Sequence, residues 1–355
     1  MSKQLMKGCE AVAEAAVRAG CRFFAGYPIT PQNEIPEYMS SRLPEVGGTF
    51  VQGESEIASI NMVYGASATG TRAMTSSSSP GISLKTEGIS YLAGALLPAV
   101  IVNVSRGGPG LGSIQPAQSD YLQATKAPGH GGFHTLVFAP STLQEAVDLT
   151  YEAFDYAERD RCPVMILMDG CLGSIMESVS LPAMKDPAEF EEKKWAVGYN
   201  GQSRPTRIIT SIYPELVLEN NNKARVETYA RWAKEDAKAE ELLLDDAQYV
   251  VVAYGIAARI AKQAVLALRA KGIKIGMIRP ITLYPFPKQS FAKLNSANVK
   301  AIIDIEMTIP AQMEEDIALA THCAIPIHSY GRSGGNLLDD DGVRQAIEKI
   351  VGGEA

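Results

Sequence analysis

Three short stretches carry reactive side chains at spacings suited to gripping a ligand. In Gly26-Tyr27-Pro28-Ile29-Thr30-Pro31, proline fixes φ near about −65° and pushes its predecessor toward extended geometry, so Pro28 and Pro31 confine the backbone on both sides of Thr30. The Thr30 hydroxyl, on so stiff a frame, can position a ligand. It can equally cap a helix beginning near Gln32, with Pro31 at the favoured first position. In Arg106-Gly107-Gly108-Pro109-Gly110-Leu111-Gly112-Ser113, a guanidinium leaves the end of an apolar run at 99–104, at the carboxyl edge where open α/β sheets bind ligands. It can hold a carboxylate bidentately or make a salt bridge within its own domain. In Glu54-Ser55-Glu56, two carboxylates stand where a short strand at 49–52 gives way to a helix. Glu54 suits the helix dipole. Glu56, set into a helix whose Ile57, Ala58, Ile60, Asn61, Tyr64, Gly65 and Ala68 imply burial, is the better candidate for a partly desolvated acid.

Other reactive residues read as structural. The glycine loop fails the P-loop pattern, because Ser113 stands where the lysine belongs, and the dinucleotide fingerprint, because no glycine follows Gly112 at the required spacing. His130 and His134 are four apart, but the glycine-broken segment between them is not helical and no further ligands accompany them. Asp169-Gly170 lacks the preceding glycine and downstream asparagine of a magnesium-diphosphate motif and reads as a strand end, while His322, Cys323 and His328 flank an apolar strand.

Apolar runs at 23–25, 49–52, 73–75, 99–104, 136–138 and 164–168 alternate with helical patterns, the rhythm of a mostly parallel sheet covered by helices. A helix starting after Ser141 shows Leu143, Ala146, Val147, Thr150, Phe154 and Ala157 at three- and four-residue spacing. The character turns charged and polar over 180–246, which predicts a connector ending in an exposed helix. Strand and helix alternation then resumes, with strands at 249–253, 273–278, 301–305 and 325–330 and helices at 257–271 and 312–321. The expected class is α/β with two domains: 1–179, a connector at 180–246, and a smaller domain at 247–355. A net charge of −7 argues against a nucleic-acid partner. No run approaches a membrane span, and the first twenty residues read as an amphipathic helix, so a cytoplasmic protein without membrane partners is expected. The five cysteines are scattered and never form Cys-x-x-Cys, so no iron-sulfur cluster is expected on this chain.

Taken together, Tyr27-Pro28-Ile29-Thr30-Pro31, Glu54-Ser55-Glu56-Ile57-Ala58, Ser78-Ser79-Pro80-Gly81-Ile82-Ser83-Leu84 and Arg106-Gly107-Gly108-Pro109-Gly110 resemble, in order and spacing, the α subunit of the 2-oxoacid:ferredoxin oxidoreductases. The likeness runs from the first helix to about Met176 and continues more weakly through 246–330, which is similar to that family's transketolase C-terminal-type domain. The stretches "SSSSPGISLKTEG" and "GGPGLGSIQPAQSDY" look more like the branched-chain, 2-oxoisovalerate type than the 2-oxoglutarate type. The resemblance implies a thiamine diphosphate pyrimidine-binding domain at 1–179, and an enzyme active only as a complex. That enzyme decarboxylates a 2-oxo acid oxidatively, yielding an acyl-CoA and passing electrons to ferredoxin. Mg2+ and iron-sulfur clusters are then expected on partners: a diphosphate-binding β subunit, a γ subunit and a ferredoxin-like cluster subunit, with ferredoxin and coenzyme A as further partners. It also implies that Glu56 hydrogen-bonds the aminopyrimidine ring, flanked by Tyr27, Pro28 and Ile29, and that Thr30 and Arg106, with Gly107 and Gly108, hold the substrate carboxylate and 2-oxo group. Two alternatives stay open: a 2-oxoglutarate enzyme of the same family, and a noncatalytic scaffold subunit.

Overall fold

The computed structural model describes residues 3–197 and 208–353. Its strands, in chain order, are β1 Lys3–Lys7, β2 Phe23–Gly26, β3 Thr49–Gln52, β4 Ala73–Ser77, β5 Ala99–Ser105, β6 Leu136–Phe138, β7 Pro163–Asp169, β8 Met176–Ser180, β9 Ala239–Leu242, β10 Tyr249–Val252, β11 Ile275–Pro280, β12 Thr282–Tyr284, β13 Ala301–Glu306 and β14 Ile327–Gly331. A seven-stranded sheet has the order β12-β6-β7-β5-β4-β2-β3 and a five-stranded sheet the order β14-β13-β10-β11-β9. Both are parallel except at one edge, where β12 and β9 run antiparallel. Strands β4, β5 and β7 are buried along their whole length. That is why they read as unbroken apolar or small-residue runs rather than alternating ones. The two-domain α/β class expected from sequence is the one observed, with sheets where the alternation places them.

Three edge strands depart from the expectation. The N-terminal segment is not helical throughout: β1 pairs antiparallel with β8, and the helix Gly8–Arg18 begins only after it. Gly8 fixes that boundary, since a Cβ there would overlap the Leu172 carbonyl, and its N–H donates to Ile175 O at 3.1 Å. The expected connector contains β9, whose sequence Ala-Glu-Glu-Leu hides a strand because its carboxylates are paired: Glu240 with Arg279 on the partner strand β11 (2.8 Å) and with Lys262 (2.6 Å), Glu241 with Lys293 (2.7 Å). Within the second half, β12 crosses over to complete the first sheet beside β6. The helix Glu215–Arg231 buries no residue, as an exposed connector helix should, and is anchored at its end by buried Trp232, whose Nε1 donates to Asp160 at 2.7 Å. The polar stretch at 198–207, part of the expected connector, lies outside the described residues.

The two sheets share a core, because one buried cluster runs from Ile101 and Leu167 through Tyr121 and Tyr254 to Val252 and Ile302. Gln118 ties them. Its Nε2 donates to Tyr254 O at 2.9 Å, its Oε1 accepts from Met307 N at 2.9 Å, its N–H donates to Met307 O at 3.0 Å, and its carbonyl accepts from the Tyr254 hydroxyl at 3.1 Å. Leucine at position 118 fills the space but leaves the Met307 N–H without its acceptor, while Tyr254 O keeps only the Ala258 N–H at 3.2 Å. The expected cost of Gln118→Leu is about 1 to 3 kcal/mol, read as a lower urea midpoint. An unchanged midpoint contradicts this role for Gln118.

Candidate active site

All the residues singled out by sequence lie at the carboxyl ends of parallel strands: Thr30 follows β2, Glu56 follows β3, Arg106 follows β5. Ser55 caps the helix Glu56–Ala68 by accepting from Ala58 N at 3.2 Å, which makes Glu56 the first helical residue. Glu54 remains exposed while Glu56 is 6% exposed. The close neighbour of Glu56 is Gly81, in the first turn of the helix Pro80–Gly94. A Cβ on Gly81 would overlap Ser77 Oγ and stand 2.8 Å from Glu56 Oε1. Glycine is therefore required for this helix to approach the carboxylate.

Arg106 is 6% exposed and forms no ion pair among the described residues. Instead its Nη1 donates to Thr30 O at 2.9 Å and its Nη2 to Leu111 O at 3.1 Å, while Nε is buried without a partner. The guanidinium thus joins the proline-braced turn to the glycine loop. Thr30 is exposed and caps nothing, because the helix that follows runs Glu34–Glu45 with Asn33 at its cap position. The capping alternative fails because Gln32 N donates to Ile29 O at 3.1 Å, closing a turn ahead of the helix. Tyr27 and Pro28 are exposed and Ile29 half-buried on the same turn. Gly107 serves close approach, since a Cβ there would stand 2.9 Å from the Gly334 carbonyl carbon of the second domain, whereas a Cβ on Gly108 would meet only Ser119 Oγ at 3.7 Å. The loop closes through Ser113 N to Gly107 O at 2.8 Å and Gly107 N to Gln115 O at 2.9 Å.

Two buried polar residues of the site are not among those the sequence singles out. Asp120 accepts from Ser79 Oγ at 2.6 Å and Asn103 Nδ2 at 2.9 Å, and burial pushes its carboxyl up. It sits on an irregular stretch that no periodic pattern marks. Lys85 is fully buried, its Nζ 3.1 Å from Thr75 Oγ1 and 3.3 Å from Glu56 O. Its signal was available: Lys85 falls on the buried stripe Gly81, Ile82, Lys85, Gly88 and Ile89. A cleft of about 560 Å³ opens beside Asp120 and the glycine loop, lined by Ser79, Ser83, Leu111, Asp120, Thr308 and Gln312. Tyr27, Ile57, Leu84, Leu111, Ile114 and Ile309 leave an exposed apolar rim.

The remaining reactive residues do not join the site. His134 stacks on Tyr284 at 4.1 Å, with burial pulling its pKa down, and His130 meets Tyr91 edge-on. Asp169 ends β7 and caps the short helix Gly170–Ser174 through Cys171 N and Leu172 N; burial pushes its carboxyl up to about 6. Among the described residues no group of three or more His, Cys, Asp or Glu is placed to hold a metal ion.

Residues 14–241 match the family model "Pyruvate flavodoxin/ferredoxin oxidoreductase, thiamine diP-bdg" and residues 247–343 match "Pyruvate:ferredoxin oxidoreductase core domain II". The chain belongs to the 2-oxoacid:ferredoxin oxidoreductases. It is 47% identical over 354 residues to ketoisovalerate oxidoreductase subunit VorB of Methanothermobacter thermautotrophicus, covering 99% of each. It is 35% identical over 368 residues to 2-oxoglutarate synthase subunit KorA of Methanocaldococcus jannaschii, covering 98% of this chain and 100% of that one. The solved 2-oxoglutarate:ferredoxin oxidoreductase from Magnetococcus marinus, with 2-oxoglutarate, coenzyme A and succinyl-CoA bound, superposes with a TM-score of 0.87 at 25% identity over 99% of this chain and 65% of that one. A split-gene transketolase superposes at a TM-score of 0.61 and 15% identity, a likeness of fold alone. As a member of this family the chain is an enzyme subunit of the thiamine diphosphate-binding type, working with partner subunits, and its relatives favour the branched-chain type.

The Gly81 contact generates a test. Gly81→Ala is expected to cost about 1 to 3 kcal/mol of stability through overpacking and to push the Glu56 side chain out of place. Ser77→Ala in the same chain removes one of the two overlaps and should restore part of the melting temperature but not the turnover of the assembled enzyme. Full turnover in Gly81→Ala alone rules out the close packing described here.

Proposed function

We propose that this chain is the pyrimidine-binding subunit of a thiamine diphosphate-dependent branched-chain 2-oxoacid:ferredoxin oxidoreductase, which converts 2-oxoisovalerate to the corresponding acyl-CoA and CO2 with electrons passing to ferredoxin. The observation that carries it is the buried Glu56 carboxylate at the carboxyl edge of the first sheet, abutting Gly81, with Arg106 and Thr30 locked together nearby. The greater likeness to the ketoisovalerate oxidoreductase subunits supports the branched-chain substrate.

The donor set fits the pyrimidine half of the cofactor. A single buried carboxyl suits a ring that carries one basic nitrogen and one amino group, and Ser77 Oγ and Ser78 Oγ lie buried and unpartnered in the same region. Bound there, thiamine diphosphate supplies the nucleophilic carbon and the electron sink for decarboxylation. Glu56 holds and moves a proton at the ring nitrogen. Tyr27, Pro28 and Ile29 flank the ring from the braced turn. Each Nη of Arg106 spends one hydrogen on a carbonyl and keeps another, and its Nε–H has no partner, so the guanidinium retains donors for a substrate carboxylate. Thr30 offers its hydroxyl to the 2-oxo group, while Gly107 and Gly108 let the loop backbone come close. Mg2+, the diphosphate and the iron-sulfur clusters fall to partners: a diphosphate-binding β subunit, a γ subunit and a ferredoxin-like cluster subunit, in a cytoplasmic complex that also uses coenzyme A.

Glu56→Gln in the assembled enzyme is expected to lower turnover roughly 10²- to 10⁴-fold, the effect of losing a positioned proton-transfer group, while Glu54→Gln does far less. The reverse ranking refutes the role of Glu56. For substrate grip, Arg106→Ala should cost about 2 to 5 kcal/mol in kcat/KM, much of it from the substrate carboxylate left unpaired. Thr30→Val should cost about 1 to 3 kcal/mol. Steady-state kinetics with 2-oxoisovalerate, 2-oxoglutarate and pyruvate check both and the substrate together. A strong preference for 2-oxoglutarate overturns the branched-chain reading, and an unchanged kcat/KM in Arg106→Ala overturns the carboxylate clamp.

A further inference from the structure

Lys85 is an anomaly of the buried site. Lysine is almost never fully buried unless an opposite charge pairs with it, yet Lys85 is 0% exposed and its ammonium has two uncharged acceptors, Thr75 Oγ1 at 3.1 Å and the Glu56 main-chain oxygen at 3.3 Å. The Thr75 hydroxyl donates in turn to Ala25 O at 2.7 Å, which leaves its oxygen lone pairs for the lysine. Packing alone does not call for a cation here. The stripe that Lys85 shares holds Gly81, Ile82, Gly88 and Ile89, and a Cβ on Gly88 would stand 2.5 Å from Ile60 on the Glu56 helix. Lys85 therefore lies on the seam between two helices, bracketed by the two glycines where they touch most closely.

Of the elements packed against that seam, β4 contributes the uncharged Thr75, and the helix Glu56–Ala68 contributes Glu56, whose carboxylate is the charge acting on Lys85. Burial pulls the Lys85 ammonium down to about 7, and the Glu56 charge pulls in the opposite direction.

We propose that Lys85 is a positioning residue for Glu56: its Nζ fixes the main chain of the first helical residue, and its positive charge acts on the Glu56 carboxylate across the seam between the two helices. This inference rests on the reading of Glu56 as the carboxylate that handles the ring proton. The two charges attract across the seam, and Lys85→Met takes that attraction away from the ionised carboxylate.

The first test needs no cofactor. In the isolated full-length chain, the unfolded Lys85 side chain titrates near about 10.4 and the folded one near 7. Between those values the unfolded state holds the extra proton, so stability rises with pH across that window, and the burial penalty is complete below it. The difference in melting temperature between wild type and Lys85→Met should therefore slope with pH from about 7 to 10. Replacing Glu56 by Gln with Lys85 intact should move the onset of the slope to lower pH, because the charge that held the proton on Lys85 is gone. A difference curve without that slope, or an onset indifferent to Glu56→Gln, overturns the coupling. The Glu56→Gln arm keeps Lys85 in place, so it remains decisive if Lys85→Met folds badly.

The second test uses the assembled enzyme. Lys85→Met should shift the acid limb of the kcat/KM profile upward by about one pH unit or more, while Lys85→Arg, which keeps the charge, should leave the limb in place. A uniform drop in kcat/KM at every pH is the mark of a merely structural lysine and overturns the proposal. Turnover by the wild-type complex without thiamine diphosphate, or calorimetry showing no cofactor binding, refutes the proposed function instead. The coupling between Lys85 and Glu56 is then still judged by the melting curves.

Discussion

A buried guanidinium must find acceptors, and the way Arg106 finds them organises this end of the molecule. It takes the carbonyls of Thr30 and Leu111 rather than a carboxylate, so two loops that leave different strands are bound into one wall. Its own main chain is held as well: Arg106 N donates to Ser79 Oγ at 2.9 Å, and Arg106 O accepts from Ser119 Oγ at 3.1 Å. Charge-assisted bonds to carbonyls are stronger than neutral ones and keep the guanidinium's remaining hydrogens aimed. The glycine loop can then be flexible in composition yet fixed in place, and the proline-braced turn is held from behind through a main-chain oxygen, leaving the Thr30 side chain to face outward.

The second domain contributes to this site through a relay of hydrogen bonds. Asp304 and Glu306 lie two apart on β13, both buried; burial pushes both carboxyls up, and the neighbouring Glu306 pushes Asp304 up further. Glu306 Oε1 accepts from Gln312 N at 2.7 Å and Met313 N at 2.9 Å, which orients Gln312. The Gln312 side chain donates to Ser119 O at 3.0 Å and accepts from Leu122 N at 3.0 Å. Asp120 stands between those two anchors. A carboxylate at the end of a strand in one domain thus fixes the segment that carries a buried carboxylate of the other. The two sheets form one working unit, and β12 strengthens that union by pairing with β6.

What was legible in the sequence follows from what burial does to composition. Strands covered on both faces, such as β5 and β7, have no polar face and read as apolar runs. Edge strands have no such signature: β1 reads Lys-Gln-Leu-Met-Lys, β9 is half carboxylate, and β12 is three residues set among prolines. Their partners are distant in the chain, so no local pattern announces them. At the site, which of Glu54 and Glu56 is buried could be read from the small and apolar residues of the helix that follows, and the Ser55 cap then makes Glu56 its first residue. Arg106 and Thr30 could be placed near each other only through the resemblance, since no local rule predicts that an arginine will settle on a carbonyl 76 positions away. Asp120 stayed hidden because it lies on an irregular stretch and its partners are supplied only by the fold, whereas Lys85 is marked by its place on the buried stripe of the helix Pro80–Gly94.

The site as folded is half of an enclosure. Glu56 and Arg106 are buried, but Thr30 faces solvent and the surrounding rim of Tyr27, Ile57, Leu84 and Leu111 is exposed, Leu111 by 80%. A hydroxyl in contact with water gains little by bonding a substrate carbonyl, because it exchanges one good hydrogen bond for another. The same hydroxyl in a site closed to water acts in a low dielectric, where fixed donors are worth far more to a developing charge. An apolar rim is costly to leave wet and favourable to cover. Members of this family are subunits of larger complexes, and on the proposed reading covering the rim takes the braced hydroxyl out of water beside a guanidinium that is buried already. The fold of this chain therefore supplies direction, in rigid donors aimed at one place, while the strength of those donors comes from the surface that closes over them.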